Sequence, residues 1–91
     1  MTLENPTQIG YFVVTVHRFA NVRLVIYSND HEPAHVHAEA PGASAKIQLE
    51  GGSGPALIWQ HGFSPSDLRQ IMAEVLSCQA RLLARWSEIH G

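Results

Sequence analysis

Cysteine is almost absent. Cys78 is the only one in a chain of 91 residues. No internal disulfide can form, which excludes a disulfide-stapled scaffold of the secreted kind. Long apolar runs are missing too. None approaches the ~18 residues of a membrane-spanning helix. Met1-Thr2-Leu3-Glu4-Asn5-Pro6 lacks the charged and apolar regions of a secretory signal, so the cytoplasm is the expected home. Charge is sparse: charged residues make up 15% of the chain, and the net charge is -2 with histidine neutral. Bulk electrostatic binding of nucleic acid needs a basic surface, so nucleic acid is expected only through a complex. A local basic patch stays compatible with that balance. No serine, cysteine or carboxylate pair stands at a spacing diagnostic of a nucleophile. No repeat is visible, and the one biased tract is Gly51-Gly52-Ser53-Gly54.

The remaining composition is that of a small globular domain. Hydrophobic residues make up 45% of the chain, an ordinary proportion. The length suits one domain. Its core is small, and a second copy or another small protein would add buried surface. Residues 1–10 are polar, carry Pro6 and Gly10, and read as a flexible lead-in; residues 11–91 read as the domain.

Tyr11 to Val16 is β-branched and aromatic, the composition of a strand. Phe19-Ala20-Asn21 marks a turn. Val22 to Tyr27 reads as a second strand, with Val22, Leu24 and Ile26 on one side and Arg23, Val25 and Tyr27 on the other. Ser28-Asn29-Asp30 ends it, because short polar side chains bond their own backbone in turns. Pro33 removes a ladder donor and holds Glu32 extended. Residues 34–40 alternate again, placing His35, His37 and Glu39 on one side. Pro41-Gly42 turns the chain into residues 43–50, where Ala45, Ile47 and Leu49 face a core. Such spacing is that of a hairpin. Residues 51–55 read as a flexible loop, and Ala56 to Trp59 as a short last strand.

A helix follows. Ser64 suits the N-cap, Pro65 the first helical position and Asp67 the first turn. At 100° per residue, Leu68, Ile71, Met72, Val75, Leu76, Leu82, Leu83, Trp86 and Ile89 form one stripe. Gln79 lies within that stripe, so it needs a partner on the sheet or across an interface. The expected fold is α+β: a small antiparallel sheet of four to five strands packed on one long C-terminal helix.

Half of the six histidines fall in Asn29-Asp30-His31-Glu32-Pro33-Ala34-His35-Val36-His37. On a strand, His35 and His37 project the same way, about 7 Å apart. That pair suits a divalent metal such as zinc, and His31 is the nearest third ligand. Asp30, Glu32 or Glu39 would orient an imidazole from behind, and Asp30 or Glu32 would serve as base in a hydrolase. The plainer alternative leaves Asp30 as a turn former and both strand histidines facing solvent. Elsewhere, His17 reads as a strand-surface residue, His61 as a loop residue and Cys78 as core. Arg81 and Arg85, one turn apart, read as an idle surface or a small anion or partner patch.

The run Leu24-Val25-Ile26-Tyr27-Ser28-Asn29-Asp30-His31-Glu32-Pro33-Ala34-His35-Val36-His37, followed by a strand and a helix reaching Leu83 and Trp86, resembles a family of small bacterial proteins. That family is catalogued as a domain of unknown function, number four-one-six-zero. The likeness spans about residues 22–90, and D-H-x-P-x-H-x-H is its specific part. Ala34 stands where members usually carry a second proline, and Val36 where they often carry an aromatic residue. The resemblance brings no established reaction. It implies a partner, because members tend to be encoded beside another small protein in suspected toxin–antitoxin pairs. It also marks Asp30, His31, Pro33, His35 and His37 as the binding motif. Two expectations therefore stand together. One is an interaction module, half of a two-protein regulatory pair. The other is a metal-dependent hydrolase or nuclease built on His31, His35 and His37.

Overall fold

A computed structural model describes residues 11–91. The expected lead-in at residues 1–10 lies outside the described residues. Five strands come first: β1 (Val13–Phe19), β2 (Val22–Tyr27), β3 (His35–Ala40), β4 (Ala43–Gly51) and β5 (Gly54–His61). They form one antiparallel sheet in chain order, each strand beside the next. Two helices follow, α1 (Pro65–Ser77) and α2 (Gln79–His90).

The alternation of apolar residues fixes which side of the sheet is covered. Leu24, Ile26, Val36, Ala38, Ala45, Ile47 and Leu49 are closed off from water and join Ile71, Val75, Leu82 and Trp86 of the helices in one cluster. Ladder partners share a side, so the pairings Leu24 with Ala38 and Val36 with Ile47 keep this set in register across three strands. The opposite side carries Arg23, Val25, Tyr27, His37 and Lys46.

The glycine-rich tract is tighter than expected. Residues 51–55 do not form a loop. β4 continues to Gly51, which pairs with Gly54, so only residues 52 and 53 turn the chain. Gly62 is required at the exit from β5. Its φ is +87°, and a Cβ there would sit 2.3 Å from the Gly42 carbonyl oxygen. Only glycine allows β5 to close against the β3–β4 turn and deliver Phe63 to the core.

The helix start matches the expectation in detail. Ser64 Oγ accepts from the Asp67 N–H at 3.0 Å, and Asp67 Oδ2 accepts from the Ser64 N–H at 3.2 Å. These reciprocal bonds satisfy two helix-end donors. The single long helix is corrected to two. Cys78 leaves helical geometry with φ -117° and ψ 20°. The Ser77 hydroxyl and the Cys78 thiol both donate to the Glu74 carbonyl oxygen, at 3.0 and 3.2 Å. Local side-chain bonds of this kind compete with the helical ladder. α2 restarts when Leu82 N–H bonds Cys78 O at 3.0 Å. Beside the break, Gln79 Nε2 donates to the Leu49 carbonyl oxygen at 2.6 Å, which answers the need for a partner on the sheet. Leu76 departs from the expected stripe, being 60% exposed.

Candidate metal centre

The Tyr27–His35 segment folds back so that its acid meets its histidines. Asp30 N–H bonds Tyr27 O at 3.0 Å, and Asp30 Oδ2 accepts from Tyr27 N–H at 3.1 Å. This tight turn carries the Asp30 carboxylate to the start of β3. There Oδ2 lies 3.2 Å from His35 Nε2 and 3.6 Å from His37 Nε2. One donor atom from each of the three residues falls within 4.8 Å of the others. The edge of a tetrahedron with bonds of 2.0–2.1 Å is about 3.3 Å, so the two Asp–His separations bracket zinc geometry.

Hydrogen positions sharpen the picture. His35 Nδ1 donates to the Pro33 carbonyl oxygen at 2.9 Å. A carbonyl only accepts, so Nδ1 carries the proton and the neutral ring offers Nε2 as a lone pair. That lone pair faces a carboxylate oxygen, a contact that needs a proton or a cation between them. His37 Nε2 is buried without any hydrogen-bond partner. Burial is the main influence on His37 and lowers its pKa below 6.5, while the Asp30 charge pulls the other way. A neutral imidazole is the form that ligates a metal.

The walls are aromatic. The His35 and His37 rings meet edge-on at 5.1 Å, Tyr27 meets His37 edge-on at 4.9 Å, and Trp86 lies 5.1 Å from His35. The expectation of two solvent-facing imidazoles is corrected here. His35 is only 4% exposed, because Trp86 of α2 closes over it. Beyond His37, the Tyr27 hydroxyl donates to Glu39 Oε2 at 2.7 Å, and Arg23 Nη2 reaches Glu39 Oε1 at 3.2 Å. That bond to Glu39, helped by burial, pushes the Tyr27 phenol up to about 12.

Other residues of the motif are placed differently. His31 is exposed and does not join the group; Asp30 holds the third place instead. The turn that closes on Tyr27 aims the Asp30 carboxylate inward. Glu32 accepts from Trp86 Nε1 at 3.3 Å, tying the loop to α2. Pro33 supplies the oxygen that orients His35. Arg81 and Arg85 do not form one patch. Arg81 donates to Val16 O at 3.3 Å and to His17 Nδ1 at 3.0 Å, and His17 Nε2 in turn donates to Glu74 Oε2 at 2.6 Å. That chain joins β1 to both helices, so His17 is more than a strand-surface residue. Arg85 pairs with Glu88. Burial pushes the Cys78 thiol pKa up, which suits an unreactive thiol.

Tyr27 and Trp59 were the residues least marked by the sequence. The signal for Tyr27 was available, since β2 and β3 pair Val25 with His37 and so put Tyr27 on the histidine side. Trp59 lies opposite Lys46, itself opposite His37.

The profile of a family described as a domain of unknown function (DUF4160) matches residues 21–87. The chain belongs to that family. The match begins in the turn after β1 and includes Asp30, His35 and His37. No curated protein and no solved structure matches the chain.

Proposed function

We propose that the chain is a metal-dependent hydrolase, with one divalent ion held by Asp30, His35 and His37. The observation that carries this reading is the convergence of one ligand atom each from Asp30, His35 and His37, with the buried His37 Nε2 making no hydrogen bond. Buried polar atoms are almost always paired, and a cation is the partner these three atoms share. Two imidazoles and one carboxylate with an open fourth position is a catalytic zinc arrangement. A divalent ion supplies an acidified water and a Lewis acid. The protein's own part is to hold the ligands ready. Pro33 O fixes the His35 tautomer, Tyr27 N–H restrains Asp30, and Trp86 shields the His35 ring.

Elemental analysis of tag-free protein purified without chelator tests the reading. About one equivalent of metal is expected, falling at least tenfold in Asp30→Ala and His37→Ala. Less than about a tenth of an equivalent in the unaltered protein would end it. The metal's identity matters too. The same donors serve ferrous iron in oxygen-activating centres, so iron in place of zinc would redirect the chemistry away from hydrolysis.

A second reading keeps one supporting observation. β5 is a sheet edge, and Leu57, Ile58 and Trp59 on it are exposed. Such an edge can accept a strand from another chain. On this reading the protein is the cytoplasmic interaction half of a toxin–antitoxin-like pair. Co-expression with the product of the neighbouring gene, then size-exclusion chromatography, tests it; separate elution at micromolar concentration removes it.

A further inference from the structure

The side of the sheet left open by the helices carries more than the three ligands. Arg18 lies opposite Arg23 on β1 and β2. Arg23 lies opposite Glu39, two residues from His37 on the same side of β3. His37 lies opposite Lys46, and Lys46 opposite Trp59. The row therefore takes one residue from each strand except β3, which gives Glu39 and His37, and spans about 19 Å at ~4.8 Å per strand.

Each end of the row has its own chemistry. Like charges directly opposite each other destabilise a ladder, yet Arg18 and Arg23 are so placed. Glu39 answers Arg23 and Tyr27 together. No hydrogen bond or ion pair engages the Arg18 side chain among the described residues. The two arginines line a surface cavity of about 410 Å³ together with Asn21, Pro41 and Glu39, the last already bound to Arg23. An unpaired Arg18 guanidinium beside Arg23, whose charge Glu39 answers in part, suits phosphate, which a guanidinium can grip through two parallel bonds. At the far end, Trp59 is 40% exposed, with the His37 and His61 rings 6.1 and 5.6 Å away. An exposed indole on a sheet is a stacking platform for any base.

We infer that this open face binds single-stranded nucleic acid, with phosphates on Arg18 and Arg23 and a base on Trp59. Between these ends the strand crosses His37, the member of the Asp30, His35 and His37 group that lies on the row. A duplex would hide its base faces from Trp59, so a single strand is the form that fits. Although the chain as a whole carries -2, within the row Arg18, Arg23 and Lys46 outnumber Glu39, so the charge there is locally positive. The chemistry, though not the binding, rests on the metal-centre reading. Water adds to phosphorus and forms a P–O bond as the ester P–O bond breaks. The departing oxygen takes up the proton that the water gives up, and the products are an alcohol and a phosphomonoester.

Fluorescence anisotropy with a short labelled oligothymidine tests the inference on the whole chain. Titrations are run with chelator and with added zinc, and bound zinc is counted in the same samples. The unaltered protein is expected to bind in the micromolar range with zinc present. Arg18→Ala/Arg23→Ala should bind at least tenfold more weakly. Its salt dependence should be shallower by about 1.4 log units per log unit of salt, two phosphate contacts at ~0.7 each. Trp59→Ala should lose about tenfold. Both variants should keep their zinc, which shows that they are folded at the centre. Several results would overturn the inference: no binding up to about 100 µM, the weak end of non-specific association; variants that bind as the parent does; or equal competition by duplex or by free nucleotide. Full zinc without strand binding removes the nucleic-acid inference and leaves the metal centre. Strand binding by protein that takes up less than about a tenth of an equivalent of the added zinc keeps the inference and removes the metal reading.

Discussion

On the helix side of the sheet, Leu24, Val36, Ile47 and Leu49 are shut off from water by other apolar side chains. On the other side Val25 is equally shut off, yet its ladder neighbours are Thr15 and His37. The first kind of burial needs only volume and shape. The second also needs every polar atom to find a partner. Tyr27, Glu39 and Arg23 find theirs in one another, and His35 Nδ1 finds Pro33. His37 Nε2 finds none. An unmet donor or acceptor is therefore informative on the open side in a way that no leucine on the closed side can be.

The sharpest way to break this comparison is at Trp86, which belongs to both sides. Its indole is part of the apolar cluster and also lies against His35. Trp86→Ala should cost about 3–5 kcal/mol through lost burial and the cavity left behind, read as a drop in thermal or denaturant midpoint. It should also weaken metal uptake by freeing the His35 ring. A midpoint shift no larger than that of a surface variant would show that the closed side does not depend on it.

Metal itself should give the next largest effect. At a free zinc concentration about 100-fold above Kd, stability should rise by about 2.7 kcal/mol, and chelator should reverse the gain. Asp30→Ala should abolish the rise. Acid should weaken it, because ligand imidazoles must shed their protons to bind. For His37 the folded-state pKa lies below 6.5. The ring is neutral at pH 7, and its contribution to folding is present above 6.5 and is lost as pH falls below that value. A zinc-induced rise that is unchanged in Asp30→Ala would place the ion elsewhere.

The two histidines should differ from each other without metal. His35 is buried against Trp86, so His35→Ala should cost about 1–3 kcal/mol. His37, more open at its edge, should cost less, about 1 kcal/mol or below. Equal costs in chelator-treated protein would mean that the two rings see the same surroundings.

Much of this was legible in the residues, and the limits have physical causes. Alternation located the strands and told which residues share a side. Ser64, Pro65 and Asp67 located the helix start, and the H-x-H pair marked the strand on which the candidate ligands converge. The break at Cys78 was hidden, since Ile71, Val75, Leu82 and Trp86 keep the phase of one continuous helix whether or not it breaks between them. The burial of His35 was hidden for another reason. Alternation says which side a residue faces but not what arrives to cover it, and Trp86 lies 51 positions away in the chain. The third ligand depended on loop shape. His31 is nearer the strand in sequence, but the turn closed by Tyr27 and Asp30 points the carboxylate inward.

The smallest expected effect concerns Tyr27, which lies between the basic end of the open face and the proposed metal ligands. Its hydroxyl donates to Glu39, and an ionised phenol could not make that bond. The folded state therefore holds the proton to about pH 12, two units above the ordinary 10.0 of a tyrosine. A raised pKa means a contribution to stability that is full below pH 10 and lost between 10 and 12. In a Tyr11→Phe background, ultraviolet absorbance should show tyrosinate appearing near pH 12. Adding Glu39→Gln removes the carboxylate that raises the pKa and should move the transition back toward 10. If the transition stays near 12 in that variant, burial rather than Glu39 holds the proton. The bridge from Arg23 through Glu39 to Tyr27 would then contribute little to how the open face is arranged.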